Sequence, residues 1–534
     1  MLRQYFNACL PVDPFSTTHS KAIVKMVSIF RFGLCLCVIV TCISTSACVP
    51  SWNHQRTRSQ PNPLPKVKVN ENGFFVDDRN RVLILHGLNS VVKEFPWYSK
   101  DLLNDTVLDY FQQWGFNVIR LGTMWSGVEP QKNAYNETYL DVLDTIVRKL
   151  SARGIYAFLD MHQDVMSRRF GTYDGFPSWL VDSLPKPSHP YPWPFPDDKF
   201  QPGNWALQYL TEGCSVAFQG FYENYNGSLS QFAKFWKKVA TKFRSRSGVL
   251  GYELINEPWA GDVLHQPSLF LPGNAGRRNL LPAYELLHDA IRSVDQQTIV
   301  LFEPVTWGVI FNGKYAGSGF SHVPGGAAYR NRTALSYHMY CWVLTDADRH
   351  KPYPVLKRIL CDDVWASTLF KTAVADIKSL GCGGLLTEFG NCQPDKSKNS
   401  TDTVECENVM KLADENLQSW TYWDVIFFSR GQIQWDIAKP FIRTYPRAIA
   451  GTPVSISYDP NTYIFMFSYS LDASIAAPTE IFVPKLHYPN GFSVKLSDGV
   501  AWTYDRQSSV VSVKLNAKIP SATTIYVRIA PNVQ

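Results

Sequence analysis

The chain has 534 residues, of which 45% are hydrophobic and 18% are charged, with a formal net charge of +6. This length suits one large enzyme-sized domain with a smaller one beside it. The composition excludes a largely disordered chain and a multi-span membrane protein. Nothing in the modest positive charge indicates the concentrated basic face that nucleic acid binding requires.

Residues 1–47 have the order of a secretory signal. A basic flank holds Lys21, Lys25 and Arg31, an apolar run extends from Phe32 to Ile43, and Thr45, Ser46 and Ala47 follow. An apolar core of about 12 residues is short for a membrane span. We therefore predict a cleaved signal, with Met26 as a candidate true start, and a signal anchor as the alternative. The predicted destination is the extracellular space or a digestive lumen, with the lysosome as an alternative.

Residues 48–65 are polar and rich in proline, which predicts a tether. Asparagines in five N-glycosylation sequons fit a secreted chain: Asn104, Asn136, Asn226, Asn331 and Asn399.

An even number of cysteines lies beyond this segment: Cys214, Cys341, Cys361, Cys382, Cys392 and Cys406. We expect disulfides in an oxidising compartment. Short loops favour the pairs Cys341–Cys361 and Cys392–Cys406, although sequence alone does not fix the pairing. No metal site is expected, because the zinc-type cysteine and histidine spacings are missing from the sequence.

From residue 66 short apolar runs alternate with longer segments of helical period. The runs are Val82–Leu88, Asn117–Leu121, Tyr156–Met161, Leu250–Ile255, Ile299–Phe302, Leu335–Tyr340, Gly384–Thr387 and Ser419–Trp423. The helical segments include Leu102–Trp114, Tyr139–Ala152, Leu229–Arg244, Tyr284–Val294 and Val364–Leu380. This alternation over 66–446 predicts a (β/α)8 TIM barrel. A doubly wound sheet is the alternative, but no glycine-rich phosphate loop follows the first run.

Two further regions depart from this alternation. A long insertion, Ser167–Asn226, follows the third run, and it either serves function or plugs the barrel mouth. Residues 447–534 instead alternate in β fashion and predict a small antiparallel β-sandwich. Its predicted strands are Val454–Tyr458, Tyr463–Tyr469, Glu480–Val483, Ser493–Leu496, Val510–Leu515 and Thr524–Ile529.

Two glutamates end barrel strands that face each other across the mouth. Strand four ends in Asn256-Glu257-Pro258, and strand seven ends in Thr387-Glu388. Glycoside hydrolysis requires such a pair, one to protonate the leaving oxygen and one to attack the sugar or activate water. Glu129 and Glu303 also precede proline near strand ends, but neither follows asparagine, so we rank them lower. Glu253 is expected to support the site from deeper in the barrel.

Other strand ends carry groups suited to a sugar. They are Arg120, Asn256, His162, Asp164, His338, Tyr340 and Trp423. Arg120 would keep a carboxylate ionised, Asn256 would contact the sugar 2-hydroxyl, and the aromatic groups would stack on a pyranose ring. The alternatives are solvated rim groups, a structural pair between His162 and Asp160 or Asp164, and a core position for Trp423.

Together these residues resemble glycoside hydrolase family 5, a retaining (β/α)8 family. The resemblance covers roughly 66–446, and it implies that Glu257 is the acid/base and Glu388 the nucleophile. Arg120, His162, His338, Tyr340 and Trp423 match the family's other strand-end positions. The stretch 159–164 and the segment from Arg120 to Pro130 are also similar to the endoglycoceramidases of that family. That similarity places Lys93 and Asp164 on the sugar next to the scissile bond.

The resemblance implies hydrolysis of the bond between oligosaccharide and ceramide in glycosphingolipids, with no metal or organic cofactor. The substrate would lie in a micelle or membrane, so peripheral membrane contact by a monomeric enzyme is expected. Aromatic-rich loops at Phe176–Leu184, Tyr191–Phe200 and Val305–Phe320 are predicted to form an apolar side of the mouth. The alternatives are a family 5 β-glucanase and a catalytically inactive binding protein.

Overall fold

The computed structural model describes residues 64–532 except 172–174, 197–206, 306–309, 312–313, 316, 342–347 and 425–426. The predicted signal region and residues 48–63 of the predicted tether lie outside the described residues, as do parts of the loops 191–200 and 305–320. Each helix in the described ranges is too short or too polar to span a bilayer.

Eight parallel strands close into a barrel in chain order. They are β1 His86–Ser90, β2 Val118–Gly122, β3 Tyr156–Asp160, β4 Val249–Glu253, β5 Ile299–Phe302, β6 Thr333–Met339, β7 Gly383–Phe389 and β8 Trp420–Tyr422. Trp420 of β8 pairs with His86 of β1 and completes the ring. The predicted barrel is confirmed, because apolar runs that are buried on both faces are what parallel strands require.

Helices alternate with the strands and cover the barrel. The α-helices are α1 Asp105–Gln113, α2 Trp125–Val128, α3 Glu137–Ser151, α4 Ser178–Val181, α5 Glu212–Tyr222, α6 Ser228–Phe243, α7 Leu281–Arg292, α8 Val355–Arg358, α9 Ser367–Leu380, α10 Thr401–Glu415 and α11 Trp435–Ala438. Short π-helical stretches occupy Gly276–Leu280 and Ile359–Ala366. Short 3₁₀ turns occupy Lys100–Leu103, Tyr225–Gly227, Pro267–Phe270, Ala327–Arg332, Lys439–Phe441 and Lys485–His487.

Helix α3 shows how the sequence specifies these elements. Asn136 precedes the helix, and its side chain accepts a hydrogen bond from the N–H of Tyr139, which satisfies one of the free amides at the helix start. Leu140, Leu143 and Val147 then recur at helical spacing and are buried against the barrel. The cap therefore determines where the helix begins, and the apolar stripe determines which face is buried.

The C-terminal residues form two antiparallel four-stranded sheets. Their strands are β9 Tyr445–Ala448, β10 Gly451–Tyr458, β11 Phe465–Leu471, β12 Thr479–Phe482, β13 Phe492–Leu496, β14 Val500–Asp505, β15 Val510–Leu515 and β16 Thr524–Pro531. Inward side chains of both sheets, among them Phe467, Ile481 and Val527, share one core. The predicted β-sandwich is confirmed, and β9 and β14 are additions that the sequence pattern did not indicate.

The sandwich contacts the barrel at the loop before β2. The ring of Phe482 packs on Gly115, where a Cβ atom would lie 2.3 Å from the ring, and Gly115 has a φ of +85°. The hydroxyl of Tyr445 donates to the Gly115 carbonyl at 2.6 Å. Loops that precede barrel strands lie at the end opposite the strands' carboxyl termini, so this contact is remote from the predicted site.

Two disulfides are present in the described part of the chain, Cys341–Cys361 and Cys392–Cys406, and both predicted pairs are confirmed. They cross-link the loops that follow β6 and β7. Cys214 and Cys382 are buried thiols.

The segment 176–184 of the long insertion packs largely as core. Phe176, Leu180, Val181 and Leu184 are all buried against the barrel. The predicted lipid-facing role of Phe176–Leu184 is therefore wrong, because these apolar side chains are already covered by protein.

Candidate active site

The backbone of Glu257, just beyond β4, has a left-handed φ of 38°. This conformation costs about 1–3 kcal/mol for a residue with a side chain and persists only where the surroundings fix it. The N–H of Glu257 donates to Glu303 Oε2 at 2.9 Å. Gln163 Nε2 donates to the carbonyl oxygens of Asn256 and Glu257 at 2.8 and 3.0 Å. These contacts hold the backbone on both sides and present the carboxyl group at the barrel mouth.

Glu388 lies near the carboxyl end of β7 and is buried. Arg120 Nη1 donates to its Oε1 atom, and the Tyr340 hydroxyl donates to its Oε2 atom at 2.7 Å. Burial alone raises the pKa of Glu388, but the charges of His338 and Arg120 outweigh it and lower this pKa below its ordinary value. Glu388 is therefore held ionised.

The two carboxyl groups lie close together across the mouth. One oxygen of Glu257, one oxygen of Glu388 and a ring nitrogen of His338 all lie within 4.8 Å of one another. Carboxyl groups about 5–5.5 Å apart suit direct attack on a sugar, whereas a wider gap leaves room for water. This geometry is compatible with a nucleophile facing an acid across one glycosidic bond.

Arg120 is fully buried and contacts side chains from four other strands or strand ends. Its partners are Asn89 Oδ1 at 3.2 Å, Asp160 Oδ1 at 3.2 Å, Asn256 Oδ1 at 2.9 Å, and the carboxylates of Glu253 and Glu388. Burial opposes its charge, but Asp160, Glu253 and Glu388 outweigh it and raise the pKa of Arg120 well above its ordinary value. The guanidinium is therefore a permanent cation beneath the site, with Glu253 on its deeper side.

His338 lies among three carboxyl groups. Its Nδ1 atom lies 2.9 Å from Glu257 Oε1 and 3.6 Å from oxygens of both Glu303 and Glu388. Burial lowers the pKa of His338, but Glu303, Glu388 and Glu257 outweigh it and raise this pKa to about 10. His338 is therefore protonated at neutral pH and donates to Glu257.

Glu303, which the sequence ranked below Glu257 and Glu388, also belongs to this cluster. Burial raises the pKa of Glu303 well above its ordinary value, against the opposing charge of His338. Its place directly after β5 was visible in the sequence and brings the side chain to the mouth. Its contacts with Glu257 and His338 were not visible there. Glu129, ranked low on the same grounds, lies elsewhere and accepts hydrogen bonds from Trp125 Nε1 and the N–H of Asn133 at 2.9 and 2.6 Å.

A second group lines the mouth beside the carboxyl pair. The rings of His162 and Trp423 stack with centroids 5.3 Å apart. Lys93 Nζ lies 2.5 Å from Asp164 Oδ2 and 4.7 Å from the centre of the Trp423 ring. Burial raises the pKa of Asp164, but Lys93 and His162 outweigh it and lower this pKa. A charged pair next to an aromatic face suits the hydroxyls and apolar face of a sugar.

The structure brings all the sequence-predicted site residues into one connected cluster. His162 Nε2 lies 3.4 Å from Asn256 Nδ2, which joins the Lys93 and Trp423 group to Arg120 and the carboxyl pair. His162 Nδ1 also lies 2.8 Å from Asp160 Oδ2. His162 therefore pairs with Asp160 and lies in the site at the same time. Trp423 is part of this cluster and contacts Lys93, so it is not only a core side chain.

Two carboxylate–histidine groups in the described residues have spacing that could hold a metal ion: Glu253, Glu303 and His338, and Glu257, His338 and Glu388. Both depend on His338, whose Nδ1 contacts Glu257. The guanidinium of Arg120 contacts Glu253 and Glu388, and its positive charge opposes a further cation there.

Comparison with known families matches both domains. Residues 75–429 match the family described as Cellulase (glycosyl hydrolase family 5), and residues 443–529 match the glycoside hydrolase family 5 C-terminal domain.

Three similar curated proteins that match most of the chain are endoglycoceramidases. The chain is 35% identical to an endoglycoceramidase of Cyanea nozakii, with 86% of this chain and 92% of that protein covered. It is 34% identical to an endoglycoceramidase of Hydra vulgaris, with 86% and 89% covered. It is 30% identical to endoglycoceramidase I of Rhodococcus hoagii, with 79% and 81% covered.

Solved structures show the same likeness. Endo-glycoceramidase II from Rhodococcus sp., as its ganglioside GM3 complex, superposes with a TM-score of 0.70 at 27% identity and covers 86% of this chain and 99% of that chain. An endogalactoceramidase structure at 19% identity has a TM-score of 0.61, covers 88% of this chain and 100% of that chain, and supports the fold alone.

Proposed function

The chain belongs to glycosyl hydrolase family 5, and from that membership we propose that it hydrolyses the β-glycosidic bond between oligosaccharide and ceramide in glycosphingolipids. The reaction retains the anomeric configuration and releases intact glycan and ceramide. The observation that carries the proposal is the Glu257 and Glu388 pair within 4.8 Å in a barrel similar to endoglycoceramidases over most of its length.

In the first step Glu388 attacks the anomeric carbon of the sugar joined to ceramide. Arg120 and Tyr340 hold its two oxygens, so the carboxylate is both ionised and oriented. Glu257 gives its proton to the ceramide oxygen as that bond breaks, and a covalent glycosyl-enzyme forms.

In the second step Glu257 takes a proton from water, and the water displaces Glu388 and frees the glycan. The protonated His338 contacts Glu257 Oε1 and orients the carboxyl group through this exchange. The reaction requires no metal or organic cofactor, because both the nucleophile and the proton carrier are side chains.

The remaining site residues bind the sugar. We assign Asn256 to the 2-hydroxyl, whose contact strengthens at the transition state. Lys93, Asp164 and His162 bind hydroxyls of the sugar next to the scissile bond, and Trp423 stacks beneath its ring.

The proposal includes the location, oligomeric state and domain boundaries of the protein. We propose a secreted monomer, made with the signal region 1–47 and the tether 48–65, with catalysis in 66–446 and the sandwich in 447–534. Two disulfides in the described residues are compatible with an oxidising compartment. The substrate is presented in a micelle or membrane that the enzyme contacts at its surface.

Product analysis on a ganglioside tests the activity, with Glu388→Gln as the control. The expected products are intact oligosaccharide and free ceramide from the native protein, with neither released by the variant. Activity on a soluble β-glucan without release from ganglioside would instead assign the same carboxyl pair to a polysaccharide.

A further inference from the structure

A helical segment after β6 exposes a row of large apolar side chains. Residues 355–380 form one continuous helical run through Val355–Arg358, Ile359–Ala366 and Ser367–Leu380. In its first turns the exposed apolar residues are Val355 at 75%, Leu356 at 70%, Ile359 at 45%, Leu360 at 40% and Val364 at 48%. We call these five residues the apolar helix face.

The apolar helix face reverses the usual orientation of a surface helix. Such a helix normally buries its apolar stripe and exposes its polar residues. Here the buried residues are Cys361, Asp362 and Ala366, whereas the aliphatic residues point outward. The disulfide Cys341–Cys361 pins the inner side. The outward direction of the apolar residues is therefore built into the cross-linked loop.

Two hydrogen bonds that share Tyr340 connect the helix to the catalytic centre. Trp365 Nε1 donates to the carbonyl oxygen of Tyr340 at 2.9 Å, and the hydroxyl of Tyr340 donates to Glu388 Oε2 at 2.7 Å. The segment follows the carboxyl end of β6, so it lies at the end of the barrel that carries the site. The apolar helix face therefore lies at the rim where substrate enters.

Other loops at the same end expose aromatic side chains. Phe95, in the loop after β1, and Trp193, in the loop after β3, are both solvent exposed. Lys357 and Arg358 follow directly after the first apolar pair of the helix, and Lys351 precedes it; Arg358 also pairs with Asp362 at 3.2 Å, and Lys351 with Asp348 at 3.1 Å. Aliphatic side chains with adjacent lysine and arginine are typical of a helix that lies in a membrane interface.

We propose that the apolar helix face is the surface by which this protein docks on the lipid bilayer or micelle that holds its substrate. The inference depends on the proposed function, because a ceramide-linked substrate has its lipid half embedded in such a surface. Docking at this rim places the mouth over the headgroup layer, where the scissile bond of an embedded glycolipid lies. A second copy of the chain is the competing occupant.

The test compares two variants of the full chain. Leu356→Gln/Ile359→Gln/Leu360→Gln replaces three of the five side chains of the apolar helix face by a residue with good helix propensity. Met466→Gln/Tyr526→Gln is the matched control, because these sandwich residues are 51% and 63% exposed. Each protein is sedimented with phosphatidylcholine vesicles, with and without phosphatidylserine and free of glycolipid. Each is also assayed on glycosphingolipid in vesicles and on a soluble aryl β-lactoside.

The triple variant should bind vesicles about tenfold or more weakly, since each substitution removes apolar area from the interface. Its hydrolysis of vesicle-borne substrate should fall equally, while the soluble lactoside is cleaved at the native rate. The control should match the native protein in all assays. Unfolding temperatures show whether each variant is folded.

Unchanged vesicle binding in a folded triple variant would overturn the inference. So would a native dimer that becomes monomeric in the triple variant, measured by light scattering, because the face would then belong to a second copy. Vesicle binding that depends on the helix, without hydrolysis of any glycosphingolipid, would support the docking surface and refute the proposed function.

Discussion

Arg120 and His338 are the cations that balance the negative charge of the carboxyl groups in the site. Arg120 neutralises carboxylates beneath and beside Glu388, and His338 does the same between Glu257, Glu303 and Glu388. Buried ions are costly unless they are paired and hydrogen-bonded. Each carboxyl group at the mouth therefore depends on a cation that comes from a different strand.

Replacing Glu303 tests its contribution to this arrangement. Glu303→Gln keeps an oxygen for the N–H of Glu257 but removes the largest coulombic effect that raises the pKa of His338. We expect kcat on a soluble aryl glycoside to fall about tenfold with KM nearly unchanged, and the basic limb of the pH profile to move to lower pH.

Glu129→Gln is the matched control for Glu303→Gln, since Glu129 is also a buried glutamate before proline but directly follows helix α2, away from the carboxyl cluster. It should leave the shape of the pH profile unchanged. An identical profile for Glu303→Gln and the native enzyme would show that Glu303 only fills space.

The charge of His338 also predicts how stability depends on pH. Its pKa is raised from 6.5 to about 10 in the folded state. Because folding raises this pKa, protonation of His338 stabilises the folded state. The contribution is complete below pH 6.5 and is lost as pH rises through about 10. The free energy of unfolding should therefore fall over that range more steeply in the native protein than in His338→Gln. Parallel curves from urea unfolding at a series of pH values would contradict it.

At the scale of elements, the loops after β6 and β7 are each closed by a disulfide. Cys341 and Cys361 are separated by 20 residues, and Cys392 and Cys406 by 14. A cross-link of this length removes about 3 kcal/mol of loop entropy from the unfolded chain in the simplest account. Both cross-links lie at the catalytic end, where long loops without a cross-link would lower the stability of the structure around the mouth.

Opening the first disulfide should loosen one element. In Cys341→Ser/Cys361→Ser we expect faster amide hydrogen exchange across 355–366, because the inner side of that helical stretch loses its covalent attachment. Exchange in the sandwich strands should be unaffected. Cys392→Ser/Cys406→Ser serves as the comparison and should leave 355–366 protected. Native-like exchange there in the first variant would mean that packing alone holds the helix.

Sequence patterns predicted most elements because parallel barrel strands are continuous apolar runs. Strand β14 was missed because most of its side chains are exposed, and β9 because Pro446 interrupts its pattern. The same limit explains the wrong prediction at 176–184 and why the outward apolar residues of 355–364 were not predicted. Aromatic and aliphatic residues of 176–184 are core, whereas those of 355–364 face outward, and periodicity alone cannot tell which side of a helix meets protein.

The meeting of Glu257 and Glu388 at the mouth was predictable because each ends a strand in a distinctive local sequence. The position of Glu303 in the cluster was not, since it depends on contacts with Glu257 and His338, which are distant from it in the sequence. Pairing of that kind depends on barrel closure, which local sequence does not encode.

At the scale of the whole molecule, Gly115 is one of the points where the sandwich packs on the barrel. Gly115→Ala should lower the free energy of unfolding by well over the roughly 1 kcal/mol cost of a positive φ, since its Cβ would meet the Phe482 ring at 2.3 Å. Gly227→Ala is the matched control, because its φ is +75° with nothing within 4 Å of the added Cβ. Denaturant unfolding measures both. Equal losses of unfolding free energy in the two variants would show that the contact between Gly115 and Phe482 does not contribute to stability.

Because the contact at Gly115 lies at the end of the barrel remote from the mouth, Gly115→Ala should leave KM for a soluble glycoside unchanged while the protein stays folded. A raised KM in the folded variant would show that the contact influences the site.

The outward aliphatic helix beside the mouth has a consequence for how this protein searches for substrate. A protein held by that helix moves in two dimensions and meets glycolipid by lateral diffusion. Its rate should then follow the mole fraction of glycolipid in the surface rather than its bulk concentration. Diluting the substrate with inert phospholipid would slow such an enzyme even when the total amount of substrate is constant.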